Sequence, residues 1–273
     1  MWTVSTFVIS FFIYSFLGYV CEVIFCSIPK KHFVNRGFLF GPYLPIYGSG
    51  AMVVIYLLHP FFSSWYLVFI FGIISTSIIE YITSWALEKL FHMKLWDYSN
   101  YPLNINGRVC ARNSFLFGVL SVVIVYLVNE PVMRFINKIP AVPAEIIALV
   151  IVAIMSADTA LSVVKLSAFR KAVEELSETK SEMQEKIKML KASLSPENFK
   201  LYADKLNREY EERKNRYYLN MKRIMNSNPT LSSKSSSLKK ALTNAYESVN
   251  EHSAKLRELR AEAKAKRKAK KNG

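Results

Sequence analysis

The chain has 273 residues, 51% of them apolar, and a formal net charge of +15 at pH 7. That charge is uneven: residues 1–164 hold nine Lys and Arg against seven Asp and Glu, whereas residues 165–273 hold 27 against 14. The first part averages about one charge per ten residues, too few to coat a soluble fold of that size. Collagen-like, disulfide-stapled and wholly disordered chains are excluded too, which leaves an all-α membrane bundle carrying a basic, water-exposed appendage.

Five apolar stretches approach or exceed the ~20 residues that a helix needs to cross the hydrocarbon core. They lie at 4–26, 44–62, 65–90, 113–128 and 145–164. No basic segment precedes the first and no small-x-small cleavage site follows it, so it reads as a retained span. Lys and Arg set the orientation. Lys30, Lys31 and Arg36 fall in one loop and Lys94, Arg108 and Arg112 in another, while the alternate connections hold only Arg134 and Lys138. The positive-inside rule places the richer loops and the basic tail in the cytosol and the N-terminus outside. The expected setting is a multi-pass protein of the cytoplasmic membrane, with the lipid bilayer as its first partner.

Three acids fall within the spans: Glu22, Glu80 and Asp158. An ionisable group near the centre of a span costs at least ~2.5–3.5 kcal/mol unless water or a partner receives it. Each lies seven to nine residues from the first basic residue at its cytoplasmic end, namely Lys30, Lys89 and Lys165. At the helical rise this is about 10–14 Å, so the three share one depth. Two readings follow. The acids converge on a polar pocket open to the cytosol, or each is separately neutralised and fixes helix packing. Ser77, Glu80, Tyr81 and Ser84 recur at i, i+3, i+4 and i+7, one polar stripe along a helix.

The inner loops hold the most distinctive strings. The first reads Asn35-Arg36-Gly37-Phe38-Leu39-Phe40-Gly41-Pro42, an irregular segment too apolar to float in water. The second carries Trp96-Asp97-Tyr98-Ser99 and, beyond it, Asn106-Gly107-Arg108, where Asn-Gly marks a tight turn. GxxxxGK[ST], GxGxxG, HExxH, CxxC and GxSxG are absent, and the four histidines form no ligand cluster. No catalytic residue, metal site or cofactor is therefore expected, and the chain carries no phosphate loop of its own. Cys21, Cys26 and Cys110 read as small apolar side chains.

The strings GYVCE around Glu22, NRGFLFGP followed by IYG, Glu80, WDYS, NGR at 106–108 and Asp158 occur in one order along residues 1–165. In this they resemble the ABC-transporter type IV (CmpB-like) family of bacterial permeases. The resemblance implies a multi-span membrane permease component. It brings no substrate and no catalytic residue.

From Leu166 the pattern becomes heptad, with Leu166, Val173, Ile187 and Leu194 at one seam position and Phe169, Leu176, Met183 and Leu190 at the other. Lys180 is the exception. Ser195-Pro196-Glu197 stops that helix and starts a second over about 197–226, giving a cytosolic helical hairpin at 165–226. The second helix would pack through Phe199, Tyr202, Leu206, Tyr210, Tyr217, Met221 and Ile224. A Ser-rich linker at 227–237 leads to a third helix at 238–273. That helix ends in Lys264-Ala265-Lys266-Arg267-Lys268-Ala269-Lys270-Lys271, six cations in eight residues. No aromatics interleave them, which argues against nucleic acid.

The leading expectation is a transport permease whose substrate path uses Glu22, Glu80, Asp158, Arg36 and Arg108. A separate ATPase subunit would dock on the inner loops if the system is ABC-coupled. The competing expectation is a membrane-anchored coiled-coil scaffold without transport activity. The amphipathic seam would be covered by the chain's own next helix or by a second copy in a homo-oligomer.

Overall fold

The computed structural model describes residues 3–31, 33–193, 196–228, 231, 242 and 243. They are almost all helical. All but Leu242 and Thr243 of the third helix expected at 238–273, its basic run included, and most of the 227–237 linker lie outside the described residues.

Helix α1 (Val4–Lys30) starts at Thr3, whose Oγ1 accepts from the Thr6 backbone N–H at 3.2 Å, and stops at Lys31, in the left-handed region with φ 53°. Helix α2 (Pro45–Leu57) opens with proline at its first position, where the missing N–H costs nothing. Its 13 residues cover about 20 Å, short of the hydrocarbon thickness. The apolar run expected as a span at 44–62 is thus interrupted. His59 precedes Pro60, which disfavours the α region, and His59–Phe61 form a 3-10 turn instead.

Helix α3 (Trp65–Phe91) ends at His92, whose N–H donates to the Glu88 carbonyl at 2.8 Å. A two-residue ladder follows, β1 (Asn104–Ile105) antiparallel to β2 (Val109–Cys110). The fourth apolar stretch, read as 113–128, is longer: α4 (Ala111–Val123), a π-helical turn at Ile124–Val128 and α5 (Asn129–Ile136) run on as one 26-residue, mainly apolar helix. Pro131 explains the wide turn, because it cannot donate to the carbonyl four residues back and its ring crowds that carbonyl. Asn129 N–H bonds the Ile124 carbonyl, one residue further back than in an α-helix. Helix α6 (Ala141–Ser193) and helix α7 (Pro196–Ser227) complete the elements.

Among the described residues, four helices are long and apolar enough to cross a membrane: Val4–Ile28, Trp65–Phe91, Ala111–Ile136 and Ala141–Lys191. Rows of large apolar side chains on them stand exposed, including Ile24, Phe25, Ile70, Ile74, Ile78, Ile82, Leu149, Val152 and Ile154. Such a surface would associate in water and is at home against lipid tails.

The chain divides into two compact units, one holding residues 1–166 with 226–232 and the other holding 167–225 with the remainder. The first unit has three apolar clusters. Ile9, Ile136, Ala144 and Ala148 join α1, α5 and α6; Tyr14, Ala51, Met52 and Ile55 join α1 and α2; Val54, Leu58, Val68 and Val125 join α2, α3 and the π turn. Small residues set the spacing. A Cβ on Gly48 would lie 2.1 Å from Ser15 Oγ and 2.7 Å from the Phe11 carbonyl oxygen, so α1 and α2 touch backbone to backbone.

In the second unit Phe169, Ala172 and Val173 are buried, and Lys180, Met183, Ile187 and Leu190 are among the half-buried residues of α6. On α7 Ala203, Leu206 and Tyr210 are half-buried, and Met225 is buried further on. Tyr202, expected inside, is 50% exposed, and the half-buried positions begin one residue later.

Candidate functional site

Within the first unit, side chains from α1, α2, α3, α4, α6 and the two intervening loops enclose a cavity of about 340 Å³. Its ionisable lining among the described residues is Glu22, Arg36 and Glu80 with the tyrosines Tyr47 and Tyr98. Trp96, Phe38 and Phe117 supply further aromatic wall, and Ser227 and Asn228 complete it.

Glu22 is fully engaged. Its Oε1 accepts from Arg36 Nε at 3.1 Å and Nη2 at 3.0 Å, and its Oε2 accepts from the Tyr47 hydroxyl at 2.7 Å. The remaining Arg36 nitrogen, Nη1, donates to the Ser227 carbonyl at 3.3 Å. Burial works against the guanidinium charge, but Glu22 beside it outweighs that and raises the Arg36 pKa. Asn35 accepts from the Tyr19 hydroxyl at 2.8 Å, which holds the start of this loop against α1.

Glu80 differs. It is 4% exposed, with the Tyr98 hydroxyl beside its carboxylate, while Oε2 has no donor among the described residues. Burial, with the Glu80 and Glu22 carboxylates close by, pushes the Tyr98 hydroxyl well up. It therefore stays protonated and remains a donor.

Asp158 lies at a comparable depth but does not line this cavity. Its Oδ1 accepts from the Phe40 N–H at 2.9 Å and from Ser162 Oγ at 3.1 Å; its Oδ2 accepts from the Gly41 N–H at 2.8 Å and the Tyr43 hydroxyl at 2.6 Å. The carboxylate thus satisfies the backbone of a loop that forms no ladder of its own. Gly41 is required there, because a Cβ would lie 2.2 Å from the Tyr43 ring, and Gly37 sits at φ +117°. Pro42, beside it, cannot donate at all.

Arg108 is also outside the cavity. Its Nη2 pairs with Glu88 Oε2 and its Nη1 donates to the Tyr81 hydroxyl at 3.1 Å, with the guanidinium 5.0 Å over the Tyr81 ring. Equal depth along a span does not set the direction around the helix axis, and on α6 Thr159 lines the cavity whereas Asp158 does not.

The two strings of the second loop form one assembly. Asn106 and Gly107 have φ 54° and 67°, and the Ile105 carbonyl accepts from the Arg108 N–H at 3.0 Å, as the tight Asn-Gly turn requires. Trp96 Nε1 donates to the Arg108 carbonyl at 3.0 Å and the Tyr98 N–H donates to the Gly107 carbonyl at 2.8 Å. Asp97 Oδ1 accepts from the Ser99 N–H at 3.0 Å, and Lys94 Nζ reaches the Asn106 carbonyl at 2.8 Å. The turn thereby holds Tyr98 against Glu80.

Gly107→Ala tests this. The new Cβ would lie 2.3 Å from Ser99 Oγ and 2.5 Å from Asp97 Oδ1, in a left-handed conformation that alanine resists. The expected loss is about 2 kcal/mol, read as an earlier unfolding midpoint in mixed micelles. An unchanged midpoint would mean that the turn is not the brace described.

Tyr47 and Phe117 are cavity residues that sequence reasoning missed, since each reads as an ordinary interior aromatic. The IYG string did contain Tyr47, and its three-residue distance from Leu44 at the start of α2 was the available signal. Among the described residues no group of three His, Cys, Asp or Glu could hold a metal ion.

A model of the family described as "Putative ABC-transporter type IV" matches residues 9–163. That stretch spans α1 through the first part of α6 and holds every cavity-lining residue except Ser227 and Asn228. No curated protein and no solved structure matches the chain. With more than half of its length matched, the chain belongs to that ABC-transporter type IV family.

Proposed function

We propose that this protein is the permease component of a transport system in the cytoplasmic membrane, driven by a separate ATPase subunit. The cavity of about 340 Å³ carries the reading: Glu22, Arg36 and Glu80 stand in a mainly apolar, aromatic wall, inside a bundle whose outer faces suit lipid. Its size falls in the ~300–1,000 Å³ range of small-molecule sites. Ionisable groups kept within apolar helices mark substrate and ion pathways. Because the chain has no phosphate-binding loop motif, nucleotide hydrolysis falls to another subunit. The basic loops bearing Arg36 and Arg108 face the cytosol on the positive-inside rule, and the unit beyond Leu166 lies on the same side.

Gentle-detergent extraction from native membranes, with mass identification of what accompanies the protein, tests this. An ATPase subunit at stoichiometric yield is the expected result, and its absence overturns the coupling. In that complex Arg36→Gln is expected to lower the ATPase rate by about tenfold, ~1.4 kcal/mol of activation free energy, with the subunits still associated. A scaffold would show no change in rate.

A further inference from the structure

Resting on the permease reading, the geometry points to a small organic ammonium ion as the cavity's ligand, with Glu80 as its counter-ion. Arg36 is the only cation lining the cavity among the described residues, and it is already committed to Glu22 and to the Ser227 carbonyl. An anionic ligand would have to break that pair. Glu22 is spent in the same way, on Arg36 and Tyr47.

What is left over is one carboxylate oxygen, Glu80 Oε2, shut away from water with no donor among the described residues. A carboxylate in that position is costly until a cation or a donor comes beside it. The Tyr98 hydroxyl lies beside the Glu80 carboxylate and Glu80 itself lines the cavity, so a small turn of the side chain brings Oε2 to an N–H donor held there.

The rest of the wall selects the kind of cation. Trp96, Tyr98, Tyr47 and Phe117 line the same space, and π faces attract alkylated ammonium groups while offering a bare metal ion no oxygen ligands. One free acid oxygen is too few donors for Ca²⁺ or Mg²⁺. Volume agrees, since the cavity exceeds what a single dehydrated ion fills.

The test is calorimetric titration of the full-length protein in detergent micelles with tetramethylammonium chloride, n-butylammonium chloride, sodium chloride and sodium acetate. Saturable binding of an ammonium salt, weakened about tenfold or more by Glu80→Gln, is the expected result. Phe117→Leu, which leaves the Glu80 carboxylate in place, is expected to weaken it about threefold to tenfold and serves if Gln disturbs folding. Saturable binding of acetate or of sodium alone overturns the assignment, and so does ammonium binding that both variants leave unchanged. The two readings fail separately. An accompanying ATPase without ammonium binding removes the ligand and keeps the permease; ammonium binding without an ATPase keeps the ligand and removes the coupling.

Discussion

Asp158→Ala is expected to lower the unfolding free energy by about 3–5 kcal/mol, because it strips a charged acceptor from the buried Tyr43 hydroxyl and two backbone N–H donors at once. The Phe40 and Gly41 N–H groups and the Tyr43 hydroxyl all converge on this one carboxylate. Asp158 is 8% exposed and Tyr43 is 3% exposed, so water cannot readily take its place. Burial and the hydrogen bond to Asp158 both push the Tyr43 hydroxyl up, which keeps its proton where the carboxylate needs it. Asp158→Asn retains one acceptor oxygen and is expected to cost about half as much, and Tyr43→Phe about 1 kcal/mol. Unfolding titrations in mixed micelles give these values. If Asp158→Ala unfolds with the wild-type protein, the loop does not depend on the carboxylate.

The second large effect belongs to the pair of Arg108 with Glu88, whose side chains are 6% and 12% exposed. Arg108→Met removes the counter-ion from a buried carboxylate, and Glu88→Leu does the converse; each is expected to cost about 3–5 kcal/mol. The double variant should return to within about 1–2 kcal/mol of the wild type, because two apolar side chains replace two desolvated charges. The diagnostic is this non-additivity. Purely additive losses would mean that Arg108 matters through Tyr81 instead, to which it donates at 3.1 Å.

Much of the fold was legible in composition. Long apolar runs with few charges point to helices at home in lipid, and Asn106-Gly107 announced a turn. In the second stretch hydropathy averages over Pro60, whereas the backbone changes there from α-helix to a 3-10 turn. The longer fourth stretch was hidden by Asn129, Glu130 and Pro131, which look like an ending; the π turn carries the helix past them.

The site was legible along one axis only. Counting residues from the basic ends gives depth, and Glu22, Glu80 and Asp158 do lie at similar distances from them. Rotation around each helix depends on which small residues touch, such as Gly48 on Ser15 or Gly72 on Ser121. No count along the chain supplies that. Glu88 pairs with Arg108, 20 residues away, a distance at which spacing along one helix gives no signal.

One feature of α6 bears on motion. Its carboxylate at position 158 grips the main chain at Phe40 and Gly41, four and five residues after the guanidinium that closes on Glu22. Short charge-assisted bonds tolerate little stretching. Any slide or roll of that long helix therefore tows the loop along and loosens or tightens the Arg36 clasp. On the permease reading, this tether is a mechanical link from helix displacement to the chamber wall.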